Sequence, residues 1–561
     1  MKGNINFDRK KIFSIVKKTL AQEVDLVNVD CELPEGPNLG CKLIIVLLAF
    51  IIAGYIAGIV YSYSFTVDDT YISLRYAENL VNYGQLSFNP GEQPTEGYTN
   101  FLLILIEALF IKLGLQNPVI IPKLVGIVSG ILTIVFVYKL SELAMEFTNP
   151  WVRFLPSIAT AASTPFIVWS VGGLETVLFT FLIVAGMYFF ILSTKSNIFK
   201  HVFLSDLFFC LAVFSRPEGL LFWVLSYIYL AVNYKEANLK KRIKSTLIFA
   251  SVFTTYLVWK YFYFGNIIPL TFYIKTSKVG AFSPFIDGFA RFMYLLKINL
   301  NFVYLLFFLV AAVISLYKKS RIITYIAFLS TSYVLYVFSL GYSVAMDDIF
   351  RLYVPFLPLF YVVAAAGGGY AGKKLSVKAP KVFYIALIFL VFSQVIIGMN
   401  DMNVCWNKDH NFGSRADAKE DLKTYQTGWD DFKYLGIWLR NTVPANSTIV
   451  IPDIGAISYF SKLKIIDSWS LVTKEIILIR SQQLKYPSGS PEREQLNKKI
   501  IKFILDKNPE IIVIQYYEYG RYQSDPRINQ YTALGVSGPK SGRPFLLAIR
   551  PDMVKYFTPK P

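Results

Sequence analysis

The stretch KLIIVLLAFIIAGYIAGIVYSYSFTVDDTYISLRYAEN, residues 42–79, changes character once, and that change decides how the chain is read. From Lys42 to Phe65 it is apolar for long enough to cross a bilayer core of roughly 30 Å at about 1.5 Å per residue. The run is too long for the core of a cleaved signal peptide, and the head before it carries Arg9, Lys10, Lys11, Lys17 and Lys18. An uncleaved span is expected, with residues 1–41 in the cytoplasm. Past Phe65 the apolar run stops, and two adjacent carboxylates, Asp68 and Asp69, fall at the outer boundary and open an amphipathic segment.

The rest of the chain continues this pattern. Of 561 residues, 54% are hydrophobic and 17% charged, beyond the roughly 45–50% apolar content of an ordinary soluble domain. The net charge of +18 sits in basic clusters between apolar runs: Lys195/Lys200, Lys235/Lys240/Lys241/Arg242/Lys244, Lys318/Lys319/Arg321 and Lys373/Lys374/Lys378/Lys381. Such interleaving is what positive-inside anchoring produces, and it argues against nucleic acid as a partner. The cysteines and the two histidines, His201 and His410, have no spacing suited to zinc.

Parity fixes the number of spans. Apolar runs near 119–138, 154–172, 174–194, 202–214, 218–233, 244–264, 291–316, 321–341, 353–371 and 382–400 make eleven with the first, and eleven put every basic cluster inside. A twelfth at Asn100–Gly114 would invert the rest; it is short and carries Glu107 and Lys112, so it is read as an interfacial or re-entrant helix. The expected fold is a polytopic α-helical membrane domain over 42–400, with an acidic outer loop at 65–118, followed by an extracytoplasmic α/β domain over 401–561. In that domain helices are expected near Asp430–Asn441, after Gly455 and at Pro491–Leu505, with strands at Thr448–Pro452, Lys464–Asp467 and Glu510–Gln515.

The chemistry concentrates at the outer loops. Burial of Asp68 or Asp69 beside a membrane would raise a carboxylate pKa and make it a stronger base toward a hydroxyl. The competing reading is that Asp68 or Thr66 caps the following helix while Asp69 complements its dipole.

The string D-D-T-Y-I-S-L-R-Y-A from Asp68, then F-N-P-G-E from Phe88 and E-G-Y-T-N from Glu96, resembles the first outer loop of the GT-C superfamily of membrane glycosyltransferases, most closely the branch of the mycobacterial terminal arabinofuranosyltransferase. Gly172-Gly173-Leu174-Glu175-Thr176, Ser215-Arg216-Pro217-Glu218-Gly219, Pro269-Leu270-Thr271-Phe272-Tyr273-Ile274-Lys275, Arg351-Leu352-Tyr353-Val354-Pro355 and Asp453-Ile454-Gly455-Ala456 extend it. The resemblance implies an inverting enzyme that takes a sugar, such as the pentose arabinofuranose, from a polyprenyl-phosphate donor. Its acceptor would be a glycan, lipid or protein outside a prokaryotic cytoplasmic membrane. It also implies that Asp68 is the catalytic base, with Asp69 beside it.

A phosphate leaving group needs cations. Arg351, three residues after Asp348, offers a bidentate fork, and Lys275 and Arg216 lie on other outer loops; Glu96, Tyr98, Glu175, Glu218 and Asp348 complete the expected substrate contacts. The alternatives are snorkelling or local ion pairing for the cations and dipole compensation for Glu175. A divalent cation on Asp68, Asp69 and Glu175 is left open. A lipid-linked sugar transporter or flippase is the rival function, but it predicts two related halves and midplane charges, which the sequence lacks.

Overall fold

The computed structural model describes residues 40–145, 150–196, 198–234, 239–269, 283–298, 302–340, 348–375, 422–487, 489–514, 519–540, 542 and 544–557. The helical part runs through α1 (Cys41–Ser62), α2 (Asp69–Tyr83), α3 (Phe101–Lys112), α4 (Ile120–Ala144), α5 (Leu155–Ala162), α6 (Thr164–Val171), α7 (Thr176–Ser196), α8 (Phe199–Ser215) and α9 (Gly219–Asn233). It continues with α10 (Leu239–Phe264), α11 (Ser283–Ile298), α12 (Phe302–Tyr317), α13 (Arg321–Leu340) and α14 (Phe356–Leu375). Among the described residues α1, α4, α7, α10 and α13 are long and apolar enough to cross a membrane, and α5 with α6, bent by 54°, makes a sixth candidate.

The expectation of eleven spans is therefore not met by full-length helices. The run 154–172 is broken at Ser163, which is extended, because Pro165 has no N–H to return to the preceding turn. The run 291–316 is two elements, α11 as described to Ile298 and α12 from Phe302, with 299–301 outside the described residues. The helices at 199–215 and 219–233 have 17 and 15 residues, and the run 382–400 lies outside the described residues. At 12 residues, about 18 Å, α3 cannot cross; it buries Leu103, Ile104, Glu107 and Ala108 and exposes Leu105, Leu109 and Phe110.

The C-terminal domain contains α15 (Leu422–Thr442), β1 (Thr448–Ile451), α16 (Ala456–Ser461), β2 (Lys464–Asp467), α17 (Lys474–Gln483), α18 (Pro491–Asp506), β3 (Ile511–Ile514), β4 (Thr532–Ser537) and β5 (Pro544–Ile549). The sheet order is β2-β1-β3-β5-β4, with β2, β1 and β3 parallel and β5 antiparallel to both neighbours. Strands covered on both faces read as unbroken apolar runs, as in TIVI and IIVI. Three elements are not foreseen from the sequence. The string KEIILIRSQQ of α17 mixes strand-like and helical signals, and β4 is a half-exposed edge strand holding Gly535. The third, β5, is paired by β3 and β4 rather than by its own pattern.

One face of the sheet shares its core with the membrane half: Phe432, Leu439, Ile451 and Ile465 pack with Ile72, Tyr76, Phe88 and Ile104. Polar fasteners surround this core. The buried Arg75 guanidinium donates to the carbonyls of Phe88 (2.8 Å), Ser458 (2.5 Å) and Leu463 (2.8 Å). The Asn89 amide donates to the Ile465 carbonyl (2.8 Å) and accepts from its N–H (3.1 Å), acting as one peptide unit of a missing neighbour on the edge strand β2. Glu78 takes both Lys462 and the Tyr459 hydroxyl.

Replacing Arg75 by Met keeps the apolar stem but removes one donor from each of three carbonyls, of which Phe88 keeps the Asn79 amide and Ser458 the Lys462 N–H. The docked state should lose about 2–4 kcal/mol, read as a lower unfolding midpoint of the C-terminal domain in detergent. An unchanged midpoint would show that the shared apolar core alone holds the halves together.

Candidate active site

The acidic loop is fixed from three sides. Lys123 on α4 donates to the carbonyls of Tyr63 (2.6 Å) and Phe65 (2.8 Å), satisfying the exit from α1. The Gly172–Gly173 turn supplies the next fixing point: the Val67 N–H (3.2 Å) and the Thr70 hydroxyl (3.0 Å) both donate to the Gly172 carbonyl. Gly173 has a φ of 87°, and a Cβ there would overlap the Thr70 side chain, so the paired glycines are what allow the turn to sit on this loop.

Asp68 does not cap its own helix. It stands before α2 with no side-chain bond to that helix. Its Oδ2 accepts the Gly455 N–H at 2.9 Å and its Oδ1 the Ala456 N–H at 2.7 Å. Both amides belong to the start of α16, so the carboxylate is held by the soluble domain. A Cβ at Gly455 would overlap the carbonyl oxygen, Cγ and Oδ2 of Asp68, which makes glycine a requirement of the approach. Asp68 is only 6% exposed. Burial first, and then the Asp453 charge, outweigh the amides and push its pKa to about 8. Asp69 is exposed in the first turn of α2, where it complements the helix dipole.

A second cluster gathers Glu175, Arg351, Arg216 and Glu218. Oε1 of Glu175, 1% exposed, accepts from Arg216 (2.8 Å) and from Arg351 (2.8 Å), and Arg216 also pairs with Glu218 (2.9 Å). Dipole compensation is thus not the main task of Glu175. Burial pushes its carboxyl up, but Arg351 and Arg216 together hold it below the usual carboxylate range. Arg351 also donates to the Thr176 hydroxyl (3.2 Å) and lies over the Trp169 ring. Immediately before it, Ile349 (φ 46°) and Phe350 (φ 56°) occupy left-handed backbone that bulky residues avoid. The Trp169 indole N–H holds this strained turn through the Ile349 carbonyl at 3.1 Å.

Glu107 on α3 is fully buried, and neither of its oxygens has a hydrogen-bond partner among the described residues. Burial, then the Glu175 charge, raises its pKa well above the carboxylate range.

Two other expected substrate contacts have partners within the protein. Glu96 is buried against Lys260 of α10 at 2.9 Å, and burial raises it to about 7 despite that lysine. Tyr98 packs between Tyr76 and Phe264. Lys275 and the side chain of Asp348 lie outside the described residues. Nor do Asp68, Asp69 and Glu175 fit a shared divalent cation: Asp68 faces amides and Glu175 faces guanidiniums. No three metal-type side chains converge among the described residues. Asp453 and the two amides after it are the main features without an assigned role in the sequence reading. Their signal is a D-I-G-A string following a strand.

A family model described as a domain of unknown function, DUF8728, matches residues 421–547, which is the soluble domain alone. No curated protein matches the chain. Among solved structures, the oligosaccharyltransferase AglB from Archaeoglobus fulgidus, in complex with an inhibitory peptide and a dolichol-phosphate, is similar over 90% of this chain and 74% of its own, with a TM-score of 0.56 and 11% identity. ArnT from Cupriavidus metallidurans, bound to undecaprenyl phosphate, is similar over 92% of this chain and 99% of its own, with a TM-score of 0.54 and 9% identity. The chain therefore shares the fold of these two proteins: a polytopic helical membrane domain with a soluble C-terminal domain.

The Asp68 environment has a pH signature. Its pKa in the folded protein, about 8, exceeds the ordinary value of 3.8. The folded state therefore keeps a proton that the unfolded chain loses, and stability from this residue falls as pH rises from about 4 to about 8. The difference in unfolding midpoint between the native protein and Asp68→Asn should follow that slope. A pH-independent difference would mean that the carboxyl titrates as if in water.

Proposed function

We propose that this protein is an inverting glycosyltransferase that moves a sugar, a pentose such as arabinofuranose, from a polyprenyl-phosphate donor to an acceptor outside a prokaryotic cytoplasmic membrane. The observation that carries the reading is Asp68: a buried carboxylate with a raised pKa, held in register by two amides at the junction of the membrane and soluble halves. The fold is shared with two enzymes whose structures hold dolichol-phosphate or undecaprenyl phosphate, and that supports a lipid-phosphate donor. The pentose rests on the loop strings beginning at Asp68, Phe88 and Glu96.

Asp68 is the base in this mechanism. As the acceptor hydroxyl oxygen attacks the anomeric carbon, Asp68 takes its proton. The bond from that carbon to the phosphate oxygen breaks with its electron pair leaving on phosphate, and configuration inverts. Arg351 meets the charge on the leaving phosphate; its planar fork suits two phosphate oxygens, and its hold on Glu175 keeps it aimed. Asp69 supports Asp68 electrostatically.

General-base removal of the acceptor proton is worth roughly 10²- to 10⁴-fold. Asp68→Asn should therefore cut release of polyprenyl phosphate by at least about 100-fold. Because the base must be ionised and its pKa is raised, kcat/KM should climb with pH and level off above about 8. A flat profile, or near-native turnover by the variant, would remove Asp68 from the chemistry.

The topology of the proposal puts the N-terminus inside and the 401–561 domain outside. The acidic loop after α1 packs on the domain, so both lie on one side of the membrane. A reporter fused after Asn441 should be active only in the extracytoplasmic space. Cytoplasmic activity would reverse the orientation.

A further inference from the structure

The loop that follows β2, Asp467-Ser468-Trp469-Ser470-Leu471-Val472, is built more firmly than a connection of its length requires. The fully buried Asp467 carboxylate accepts the N–H groups of Trp469 (2.7 Å), Ser470 (3.0 Å) and Val472 (2.9 Å) and that of Leu471. Ser470, buried, takes a φ of 85°, a conformation that non-glycine residues rarely adopt. Arg480 donates to the Ser468 carbonyl at 2.9 Å. From the membrane half, the Thr95 hydroxyl donates to the Val472 carbonyl at 2.8 Å. Strain of this kind, about 1–3 kcal/mol, persists where surrounding bonds over-determine it, and it collects at ligand clamps.

What the loop presents is one large apolar side chain. Trp469 is 49% exposed. A lone exposed hydrophobe is ordinary on any surface; here it is the fixed backbone beneath it that needs a reason. The neighbours of Trp469 are serines, and Leu471 and Val472 turn inward against the loop at 95–98. With Ser468 and Ser470 buried and Leu471 and Val472 turned into the core, the loop gives the indole no apolar companion with which to enter a bilayer. Its π face, negative at the centre, suits the C–H face of a sugar ring.

Position adds the second part of the argument. Strands β1 and β2 are parallel neighbours, with Ile451 opposite Asp467 and the Ser468 N–H bonded to the Ile451 carbonyl at 3.1 Å. The loop carrying Trp469 and the loop carrying Asp453, Gly455 and Ala456 therefore leave the same edge of the sheet side by side, strands being about 4.8 Å apart. That edge, at the carboxyl ends of parallel strands, is where α/β sheets place ligands, and here it faces Asp68.

We propose that Trp469 is an acceptor-binding residue, a rigid platform on which a sugar ring of a glycan acceptor stacks beside Asp68. The proposal rests on the transferase reading for its place in the reaction, but not for the binding itself. It commits the acceptor class to a glycan.

The test uses the full chain in nanodiscs, with an arabinan, a mannan and a galactan oligosaccharide as probes. The Trp469 contribution to fluorescence is taken as native protein minus Trp469→Phe. At least one oligosaccharide should change that contribution saturably, and brominated phospholipid should not quench it. In transfer assays Trp469→Ala should raise KM for that oligosaccharide by about tenfold, the equivalent of one aromatic contact. The KM for the lipid-phosphate sugar should stay as it was, and Trp469→Tyr should recover most of the loss. Absence of any Trp469-dependent response to all three oligosaccharides overturns the proposal, whether or not the protein transfers sugar. Quenching by brominated lipid also overturns it, by assigning the indole to the membrane. Native protein that binds an oligosaccharide through Trp469 yet releases no polyprenyl phosphate would instead overturn the transferase reading and leave the platform standing.

Discussion

The contact on which the architecture turns is a carboxylate of the membrane half resting on two amides of the soluble half. A buried carboxylate needs donors, and a helix start has N–H groups that need acceptors. Asp68 and the start of α16 each answer the other's requirement. The arrangement demands that α16 approach the loop backbone closely, which only glycine at position 455 allows. It also demands that the domain not rock, and Arg75, Asn89 and the shared apolar core restrain it on different sides. The soluble domain is therefore a wall of the same structure rather than a tethered appendage.

Charge balance shapes the second cluster. Two guanidiniums converge on a single Glu175 oxygen, with Glu218 on the far side of Arg216, so the four groups sum to neutrality in a setting with little water. Removing either acid would leave a guanidinium buried without its counter-charge, a cost of several kcal/mol. The strained turn at Ile349 and Phe350 shows that position matters as much as charge, since an unstrained turn would serve for a simple ion pair. Glu107 lies beside this neutral cluster with no donor among the described residues, and the carboxyl tolerates that place by keeping its proton.

Sequence made the fold class legible because two strong periodicities are present: long apolar runs with basic ends, and short β-branched strands between amphipathic helices. The strand at Lys464–Asp467 lies where its pattern puts it. Span number was less legible, because apolar content does not record where a helix breaks. Pro165 interrupts one run, and the run from 291 to 316 divides between α11 and α12. The site was half legible. Acidic and basic residues at loop boundaries drew attention to Asp68, Glu175, Arg216 and Arg351, and three of those four do meet. Pairing across hundreds of residues has no local signature: that Glu96 belongs to Lys260, or Asp68 to Gly455, follows only from the packing of distant elements.

For the proposed transfer, with Asp68 as the proposed base, that long-range pairing bears on why the reaction centre would be divided between two halves at all. A lipid-phosphate donor presents its phosphate at the membrane boundary, whereas a polar acceptor arrives from water; no single layer of structure solvates both. The membrane half supplies cations anchored on helix ends, where Arg351 and Arg216 are kept from neutralising a stray anion by Glu175. The soluble half supplies oriented amides and a rigid sheet edge. A carboxylate at the seam is dry enough to be basic and is oriented by groups that carry no net charge of their own, so its basicity survives its orientation. An arginine in place of the two amides would hold Asp68 as firmly but would pull its pKa down and make it a poor base. Holding the base with neutral donors is therefore the arrangement that reconciles fixed geometry with proton removal, and it requires a folded backbone segment, which the docked domain provides.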